Sequence, residues 1–320
     1  MRHPCTHTVT IVLLAAVISC GTGLVPVSEQ KKPARYTATP FTSTIHPIEY
    51  PEGSDPSVAA LEPSGIAVKG NTIYFISDGP GQQYIYQLVP GGRAYTARPS
   101  IPLRFPGHFL AAMTHKLDLE AIITLQDGFA VTDERNRRVY TVSPDGMVGE
   151  LPHDVTSYNR QHGIEFPSEA NAGFEGMAAH PGTGTWYLAN ERSPALVYIL
   201  HEKDNRLRVQ RHLLFSTITG DPNPDMADMY AEKDLLYILY RRKRQVIKLH
   251  TPSSTVLAIL DYGSVTNDLY HSPEGYGFAE GLYMTPGTVF LLLDSDGTPF
   301  KSRQGGRNGC MIQFPRPAGF

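Results

Sequence analysis

A short segment pattern occurs five times along this chain of 320 residues, and it limits the possible folds more than any other feature. Each copy opens with a polar residue followed by a short apolar run. The five copies start at Ser64, Glu120, Glu175, Asp228 and Glu280, at steps of 56, 55, 53 and 52 residues. A regular period of this length is typical of repeat architectures, in which each repeat is one supersecondary unit.

The runs inside each copy favour strands over helices. They last four to six residues, are rich in aromatic and β-branched side chains, and are broken by Gly and Pro. A helix pair would need apolar residues at helical spacing over about ten or more positions. A four-stranded antiparallel unit of this size is typical of one β-propeller blade. The sequence therefore predicts an all-β propeller of four-stranded blades.

Direct counting favours five blades. A sixth blade, assembled from divergent terminal strands near residues 46–50 and 311–314, is the alternative, and the same segments would otherwise close the ring.

Acidic and amide side chains mark the two ends of the hairpin that opens each copy. An antiparallel hairpin folded at its centre brings its ends together, and the first strand of a blade lines the central channel. These side chains should therefore converge at one mouth of the channel. They are Glu120, Glu175, Asp228 and Glu280 at strand starts, and Asp133, Asn190 and Asp294 at strand ends.

Carboxylates crowded in a partly desolvated mouth would repel and raise one another's pKa values, and a bound cation would remove that cost. Oxygen ligands without His or Cys suit Ca²⁺ best, with Mg²⁺ or Mn²⁺ second. The alternative is that the acids only accept hydrogen bonds from backbone N–H groups of neighbouring blades. Copy one, which has Ser64 in place of the acid, and copy four, which closes with Tyr240, depart from the pattern.

Arginines follow three of the second strands at the same offset. Arg135, Arg192 and Arg242 each lie two positions past the strand end. Guanidinium groups beside a cation would bind an anionic group such as phosphate or carboxylate. The alternative is that these are ordinary charged residues of exposed turns.

The first twenty residues have the features of an export signal. Arg2 and His3 precede the apolar run 11–18, which is too short to span a bilayer. The run ends in Val-Ile-Ser-Cys, which resembles the lipobox of bacterial lipoproteins, with Cys20 as the lipidated first residue. Ordinary signal cleavage near Gly21 is the alternative. Either alternative exports the protein.

The expected organisation is a signal peptide over 1–19, a tether over 20–50 and the propeller domain over 51–320. Of three cysteines, only Cys310 falls in the domain, so no internal disulfide is expected. In a two-membrane organism, the lipid would anchor the protein to the periplasmic face of the outer membrane.

Composition and motifs exclude several functions. A net charge of −3 and a pI near 6.5 give no basic face for nucleic acid. The sequence contains no Gly-x-Ser-x-Gly, His-Glu-x-x-His, Cys-x-x-Cys or Walker motif. His162, His180 and His271 are candidate acids or bases, with solvated loop histidines as the alternative.

Residues 117–146, 171–192 and 277–297 resemble the phytase-like family described as "esterase-like activity of phytase", and also the related SdiA-regulated propeller group. The resemblance spans about residues 60–300 and depends on the repeated Glu-Gly-apolar start with a later Asp or Asn. It implies an exported propeller with calcium. It places the functional side chains at Glu120, Glu175 and Glu280, and at Asp133, Asn190 and Asp294.

Three functional hypotheses follow. The first is a calcium-dependent phosphoester or ester hydrolase acting on an anionic substrate at the channel mouth. The second is an envelope propeller that binds a ligand or protein at the same mouth without turnover. The third is an interaction scaffold with a structural ion. The sequence does not separate them, because all three use the same residues.

Overall fold

The fold is known from a computed structural model that describes residues 32–50, 61–78, 83–113, 115–166, 171–180, 182–192, 194–267, 269–270, 278–295, 298, 301 and 309–320. Within these ranges the chain is mostly strand, and the prediction of an all-β propeller is confirmed. None of the helices in the described ranges is long and apolar enough to cross a membrane.

The described strands group into four-stranded antiparallel blades. Blade 1 is β3 (Pro63–Lys69), β4 (Thr72–Ser77), β5 (Tyr84–Gly91) and β6 (Ala94–Pro102). Blade 2 is β7 (Leu119–Leu125), β8 (Gly128–Asp133), β9 (Arg138–Val142) and β10 (Val148–Glu150). Blade 3 is β11 (Phe174–His180), β12 (Thr185–Asn190), β13 (Leu196–Lys203) and β14 (Arg206–Leu214). Blade 4 is β15 (Met226–Glu232), β16 (Leu235–Tyr240), β17 (Gln245–His250) and β18 (Thr255–Asp261).

Blade 5 joins strands from both terminal regions. Its inner strands are β19 (Ala279–Met284) and β20 (Thr288–Leu293), followed by β21 (Cys310–Pro315) and, outermost, β2 (Thr44–Glu49). The two terminal segments considered for a sixth blade thus pair with each other inside this sheet. The end of β2 also pairs with β6 of blade 1, which links the last blade to the first.

The sheet region begins before residue 51, where the propeller domain was expected to start. Besides β2, strand β1 (Ala34–Thr37) pairs in parallel with the outer strand of blade 4, with Ala34 opposite Ala258. Both strands fall in the segment predicted as a tether, which shows no repeat of its own in the sequence.

Each blade's first strand contacts the first strands of both neighbours, so β3, β7, β11, β15 and β19 form a closed ring. The hydrophobic core lies between adjacent blades in five clusters. A fully buried aromatic ring belongs to each cluster: Tyr86, Tyr140, Tyr198, Phe215 and Tyr237. Short helices occur only in connections within the described ranges: α1 (Gly107–Ala112), α2 (Val155–His162), α3 (Phe215–Thr219) and α4 (Gly263–Thr266).

The ring of first strands encloses a channel whose central part is apolar. Ile66, Ile122, Met229 and Leu282 are among the side chains that line a cavity of about 200 Å³ there. The charged residues of the polar pocket described below lie towards the end of the ring where the first strands begin.

Candidate functional site

An irregularity in strand pairing places the acids at the mouth. Each first strand pairs regularly with its second strand from an apolar residue onward: Ile66, Ile122, Met177, Met229 and Leu282. Within the two positions before that residue the register shifts in every blade, as in a β-bulge. Bulges re-aim a side chain and commonly lie at strand ends near functional sites.

The residues two positions before these apolar residues are Ser64, Glu120, Glu175, Ala227 and Glu280. The residue between is small in four blades because neighbouring blades approach closely there. A Cβ on Gly176 would lie 3.0 Å from Asp228 Cα, and one on Gly281 would lie 2.9 Å from an Ile66 side-chain atom.

A polar pocket of about 180 Å³ forms at this mouth. Its lining comprises six carboxyl groups, three guanidinium groups and one amide. The carboxyl groups belong to Glu62, Asp78, Asp118, Glu120, Glu175 and Glu280, and the others to Arg135, Arg192, Arg241 and Asn171.

A second set of charged residues immediately follows the second strands. It consists of Asp78, Glu134, Glu191, Arg241 and Asp294. Glu134 and Glu191 are both buried and lie against the mouth, since one acceptor atom of each lies within 4.8 Å of one from Glu175.

Arg241 is the buried cation of the mouth. Its Nη2 lies 2.8 Å from Glu191 Oε1 and 2.9 Å from Asp225 Oδ1, and its Nη1 contacts Glu280 Oε2 and lies 3.4 Å from Glu175 Oε1. Its side chain is only 10% exposed. We call the four carboxylates around it, with Arg241 itself, the Arg241 side of the mouth.

The adjoining part of the mouth has no buried cation among the described residues, although Glu134 there lies within 4.8 Å of Glu175 and Glu191. It consists of Asp118, Glu120 and Glu134, whose nearest acceptor atoms all lie within 4.8 Å of one another, and we call it the Glu134 side. Among the ion pairs of the described residues, Asp118 binds Arg135 at the rim, and none involves Glu120 or Glu134.

Glu134 is incompletely satisfied. Gly173 N donates to its Oε1 at 3.0 Å, whereas its Oε2 is buried and, while Glu134 and Asp118 are both ionised, no donor of the described residues reaches it. Glu120 is better served, because Ser64 Oγ donates to its Oε2 at 2.8 Å.

Burial and mutual repulsion raise the pKa values of these carboxyl groups. Burial raises the pKa of Glu134 to about 8, with Glu191 and Asp118 adding to the rise. Burial also raises the pKa of Glu191 to about 7, against the lowering effect of Arg241 and Arg192. The pKa values of Glu120 and Asp78 are likewise raised, by burial first and then by neighbouring acids. These are the shifts expected where carboxylates crowd away from water.

The structure brings five of the predicted site residues together. Glu120, Glu175, Glu280, Arg135 and Arg192 all line the pocket. Asp294 does not line it, but its charge is one cause of the raised pKa of Asp78.

Three other predicted residues face away from the pocket, and a fourth, Asp228, is described below. Asp133 accepts hydrogen bonds from Asn136 N and Nδ2, and Asn190 Nδ2 donates to the carbonyls of Arg192 and Pro194. Arg242 is exposed and donates to the carbonyl of Asn223.

Asp228 lies one position away from the acid position of its blade. It pairs with Leu239 as Gly176 pairs with Ala189, so the position equivalent to Glu175 is Ala227. The Asp228 carboxylate accepts hydrogen bonds from Met229 N and from Leu282 N of the next blade, both at 2.8 Å. This contact is the backbone role weighed as the alternative to metal binding.

Sequence reasoning missed Asp118, Glu134, Glu191 and Arg241 as site residues. The sequence contained a usable signal, because successive residues of a strand face opposite sides of the sheet. Asp133 and Asn190 point away from the mouth, so the residues that follow them, Glu134 and Glu191, point towards it. Of the histidine candidates, His162 and His180 do not line the pocket: His162 stacks on Tyr158, and His180 ends β11 at the far end of the strand. Cys20 and His271 lie outside the described residues.

Fold and site define a class, the β-propellers with an acidic channel mouth. The sequence profile of the SdiA-regulated family matches residues 100–286, more than half of the chain. The chain belongs to the SdiA-regulated family. No curated protein matches its sequence significantly.

Solved structures share the fold at low sequence identity. The crystal structure of Myxococcus xanthus glutaminyl cyclase is 10% identical, with a TM-score of 0.54, covering 89% of this chain and 100% of that chain. XC5397 from Xanthomonas campestris, described as a gluconolactonase, is 14% identical, with a TM-score of 0.45, covering 80% of this chain and 72% of that chain. At such identities the first similarity supports the fold only.

Proposed function

We propose that this protein is an exported, lipid-anchored propeller that binds a divalent cation, Ca²⁺ by preference, on the Glu134 side of the mouth and hydrolyses a phosphoester or ester of an anionic substrate there. The expected partners are this small substrate and, through the lipid on Cys20, a membrane. Nucleic acid is not an expected partner.

The observation that carries the proposal is the unsatisfied oxygen of Glu134. A buried carboxylate oxygen without a donor is costly unless a proton or cation compensates it. Glu134 Oε2 is such an atom, and it belongs to a triad whose acceptors lie within 4.8 Å of one another.

The donor set fits a hard cation. Asp118, Glu120 and Glu134 offer only carboxylate oxygens, which suit Ca²⁺ and Mg²⁺ and not the metals that prefer sulfur or imidazole. These three residues would hold the ion, and Ser64 Oγ, bonded to Glu120 Oε2, fixes the orientation of one ligand. When bound, such an ion would act as a Lewis acid on an ester.

Two arginines at the rim would bind the anionic part of the substrate. The side chains of Arg135 and Arg192 are 38% and 52% exposed, so their guanidinium groups contact solvent as well as the pocket. Arg135 is held by Asp118 and by Asn171 Oδ1, and Arg192 by Glu191. Their orientation is thereby fixed before a substrate arrives, which lowers the entropic cost of binding.

The resemblance to phytase-like proteins supports a hydrolytic activity, and the signal-like N-terminus supports export. Proton transfer would fall to mouth carboxyls, because the described histidines do not line the pocket. Asp78 lines the pocket, and burial, with Glu280 and Asp294 adding to the effect, raises its pKa well above the ordinary value, towards the range that acid–base catalysis requires near neutral pH.

The test combines calcium binding with a substrate panel. The full chain is titrated with CaCl₂ by calorimetry, then assayed on phosphomonoesters, phytate and p-nitrophenyl acyl esters in Ca²⁺ or in EDTA. We expect Glu120→Gln and Glu134→Gln to weaken calcium binding and Ca²⁺-dependent turnover by at least about tenfold. Asp228→Asn is the matched control, since it changes a buried acid outside the pocket. Wild-type protein that binds no calcium would refute the proposal.

A second candidate, ligand binding without turnover, is favoured by the pairing of both rim arginines with acids of the mouth. These ion pairs occupy part of the donor capacity that a tight transition-state contact would use. Calcium binding without hydrolysis of any ester in the panel would select this function.

A further inference from the structure

Blade 4 differs from its neighbours at both mouth positions. Where blades 2, 3 and 5 carry Glu120, Glu175 and Glu280, blade 4 carries Ala227. Where the other blades carry an acid after the second strand, blade 4 carries Arg241. A side chain with a carboxylate is thus missing at one position, and a cation is present at the other.

The guanidinium of Arg241 has the surroundings of a bound cation. It is buried and contacts carboxylates from three blades: Glu175 and Glu191 of blade 3, Asp225 just before the first strand of blade 4, and Glu280 of blade 5. An arginine in an exposed surface ion pair would not need four acidic partners, because water solvates its charge. A buried charge needs this compensation, and so do the four acids.

The neighbouring position confirms that the burial is specific. Arg242 is exposed, lies outside the pocket and contacts only a backbone carbonyl among the described hydrogen bonds. The two adjacent arginines therefore have different roles, and of these two only Arg241 forms ion pairs with acids of the mouth among the described residues.

We infer that Arg241 is a tethered cation that occupies one of two cation positions in the mouth and thereby limits the pocket to a single exchangeable ion on the Glu134 side. This rests on the proposed function for the identity of the exchangeable site. It goes beyond that function by assigning Arg241 as a positioning residue that sets the number of ions bound. Removing the guanidinium would leave only carboxylate oxygens, and those of Glu175 and Glu191, together with one of Glu134, already lie within 4.8 Å of one another, which is a donor set of the kind Ca²⁺ takes.

The test measures the number of calcium ions bound per chain. Wild type, Arg241→Gln, Arg241→Lys and the control Arg242→Gln are titrated with CaCl₂ by calorimetry and by equilibrium dialysis with elemental analysis, all as the full chain. We expect one ion for wild type and Arg242→Gln, and two for Arg241→Gln. Arg241→Lys should return to one ion, because its ammonium restores the charge. A merely structural role would change stability without changing the number of ions.

The outcomes separate this inference from the proposed function. If wild type binds no ion and Arg241→Gln binds one, the assignment of Arg241 as a tethered cation stands and the proposed function fails. If both bind one ion with the same affinity, the inference is overturned and the proposed function stands.

Folding of the variant is part of the test. Arg241→Gln that folds only when Ca²⁺ is added supports the inference. If it does not fold, Arg241→Gln combined with Asp225→Asn removes one charge of each sign and keeps the net charge of the wild-type mouth. The double variant should bind one ion more than wild type. Failure to bind it, or failure of both variants to fold at any Ca²⁺ concentration, overturns the inference.

Discussion

The two sides of the channel mouth are built from equivalent positions but solve the same electrostatic problem differently. On the Arg241 side, four carboxylates surround one buried guanidinium. On the Glu134 side, Glu120 and Glu134 have no ion-pair partner among the described residues, and one Glu134 oxygen has no donor there. Glu191 and Glu134 make the contrast most direct, since each follows the second strand of its blade.

The difference shows that equivalent positions of a repeated fold can carry side chains of opposite charge while the backbone stays the same. A buried acid is tolerated when a cation is covalently supplied, as it is beside Arg241. Where none is supplied, the acid must hold a proton or recruit an ion. Burial raises the pKa values of Glu134 and Glu120, and neighbouring acids add to the rise, whereas at Glu175 and Glu191 the charge of Arg241 opposes the same effect of burial.

The largest expected effect comes from removing the buried guanidinium. In EDTA at pH 7, we expect Arg241→Gln to lower the free energy of unfolding by about 3–5 kcal/mol, because four buried acids lose their cation. Urea unfolding followed by circular dichroism measures this. Arg242→Gln should stay within about 0.5 kcal/mol of wild type. Equal stability of Arg241→Gln and Arg242→Gln would contradict the conclusion that the buried guanidinium of Arg241 stabilises its side of the mouth.

The prediction of the fold succeeded because the repeat consists of apolar runs, which can be recognised even where individual residues differ between copies. The same repeat correctly brought Glu120, Glu175 and Glu280 to one pocket, since hairpin closure depends only on strand lengths.

Prediction of the remaining site residues failed where it depended on knowing the strand register to within one residue. In copy four, the acid of Asp228 suggested the repeat start, although the apolar residue Met229 sets the register and makes Ala227 the equivalent position. A shift of one residue moves a side chain to the other face of a strand. Bulges add such shifts without a clear mark in the sequence, which also explains why Asp133 was chosen and its neighbour Glu134 was not.

A matched pair of substitutions sharpens the comparison at one position in two blades. Glu191→Gln should lower the free energy of unfolding in EDTA by about 1.5–3 kcal/mol, because its charge-assisted contacts with Arg241 and Arg192 are lost. Glu134→Gln should be neutral or stabilising by up to about 1 kcal/mol, because Gln keeps an acceptor for Gly173 N and is neutral without taking up a proton or an ion. Urea unfolding of both variants under identical conditions gives the comparison. Destabilisation of equal size would contradict it.

The pH dependence of stability tests the raised pKa values on both sides without any substitution. The folded pKa values of Glu134 and Glu191, about 8 and about 7, exceed the ordinary value of 4.5, so the folded state binds more protons than the unfolded state between pH 5 and 8. Stability in EDTA should therefore be highest at low pH within this range and fall as the pH rises through 7 and 8. We expect a decrease of a few degrees in Tm, measured by scanning calorimetry.

Calcium should counteract this decrease, because the ion binds the ionised carboxylates of the Glu134 side. The Tm difference between Ca²⁺ and EDTA should therefore grow with pH, and Glu134→Gln should reduce it. A Tm in EDTA that rises between pH 5 and 8 would show that these carboxyls are ionised in the folded protein without an ion.

The smallest expected effect comes from the rim, where the cations are exposed. Arg192 Nε lies 2.7 Å from Glu191 Oε2, but the arginine side chain is 52% exposed, so solvent and salt screen the pair. Arg192→Ala should therefore lower the free energy of unfolding by less than about 1 kcal/mol, and 0.5 M NaCl should reduce even that difference. The same urea series as for Arg241→Gln measures it. A loss as large as that of Arg241→Gln would mean that the rim and the buried guanidinium stabilise the mouth equally. If Arg192→Ala loses little stability but binds inorganic phosphate more weakly than wild type in Ca²⁺, the role of Arg192 is substrate binding and not stabilisation of the mouth.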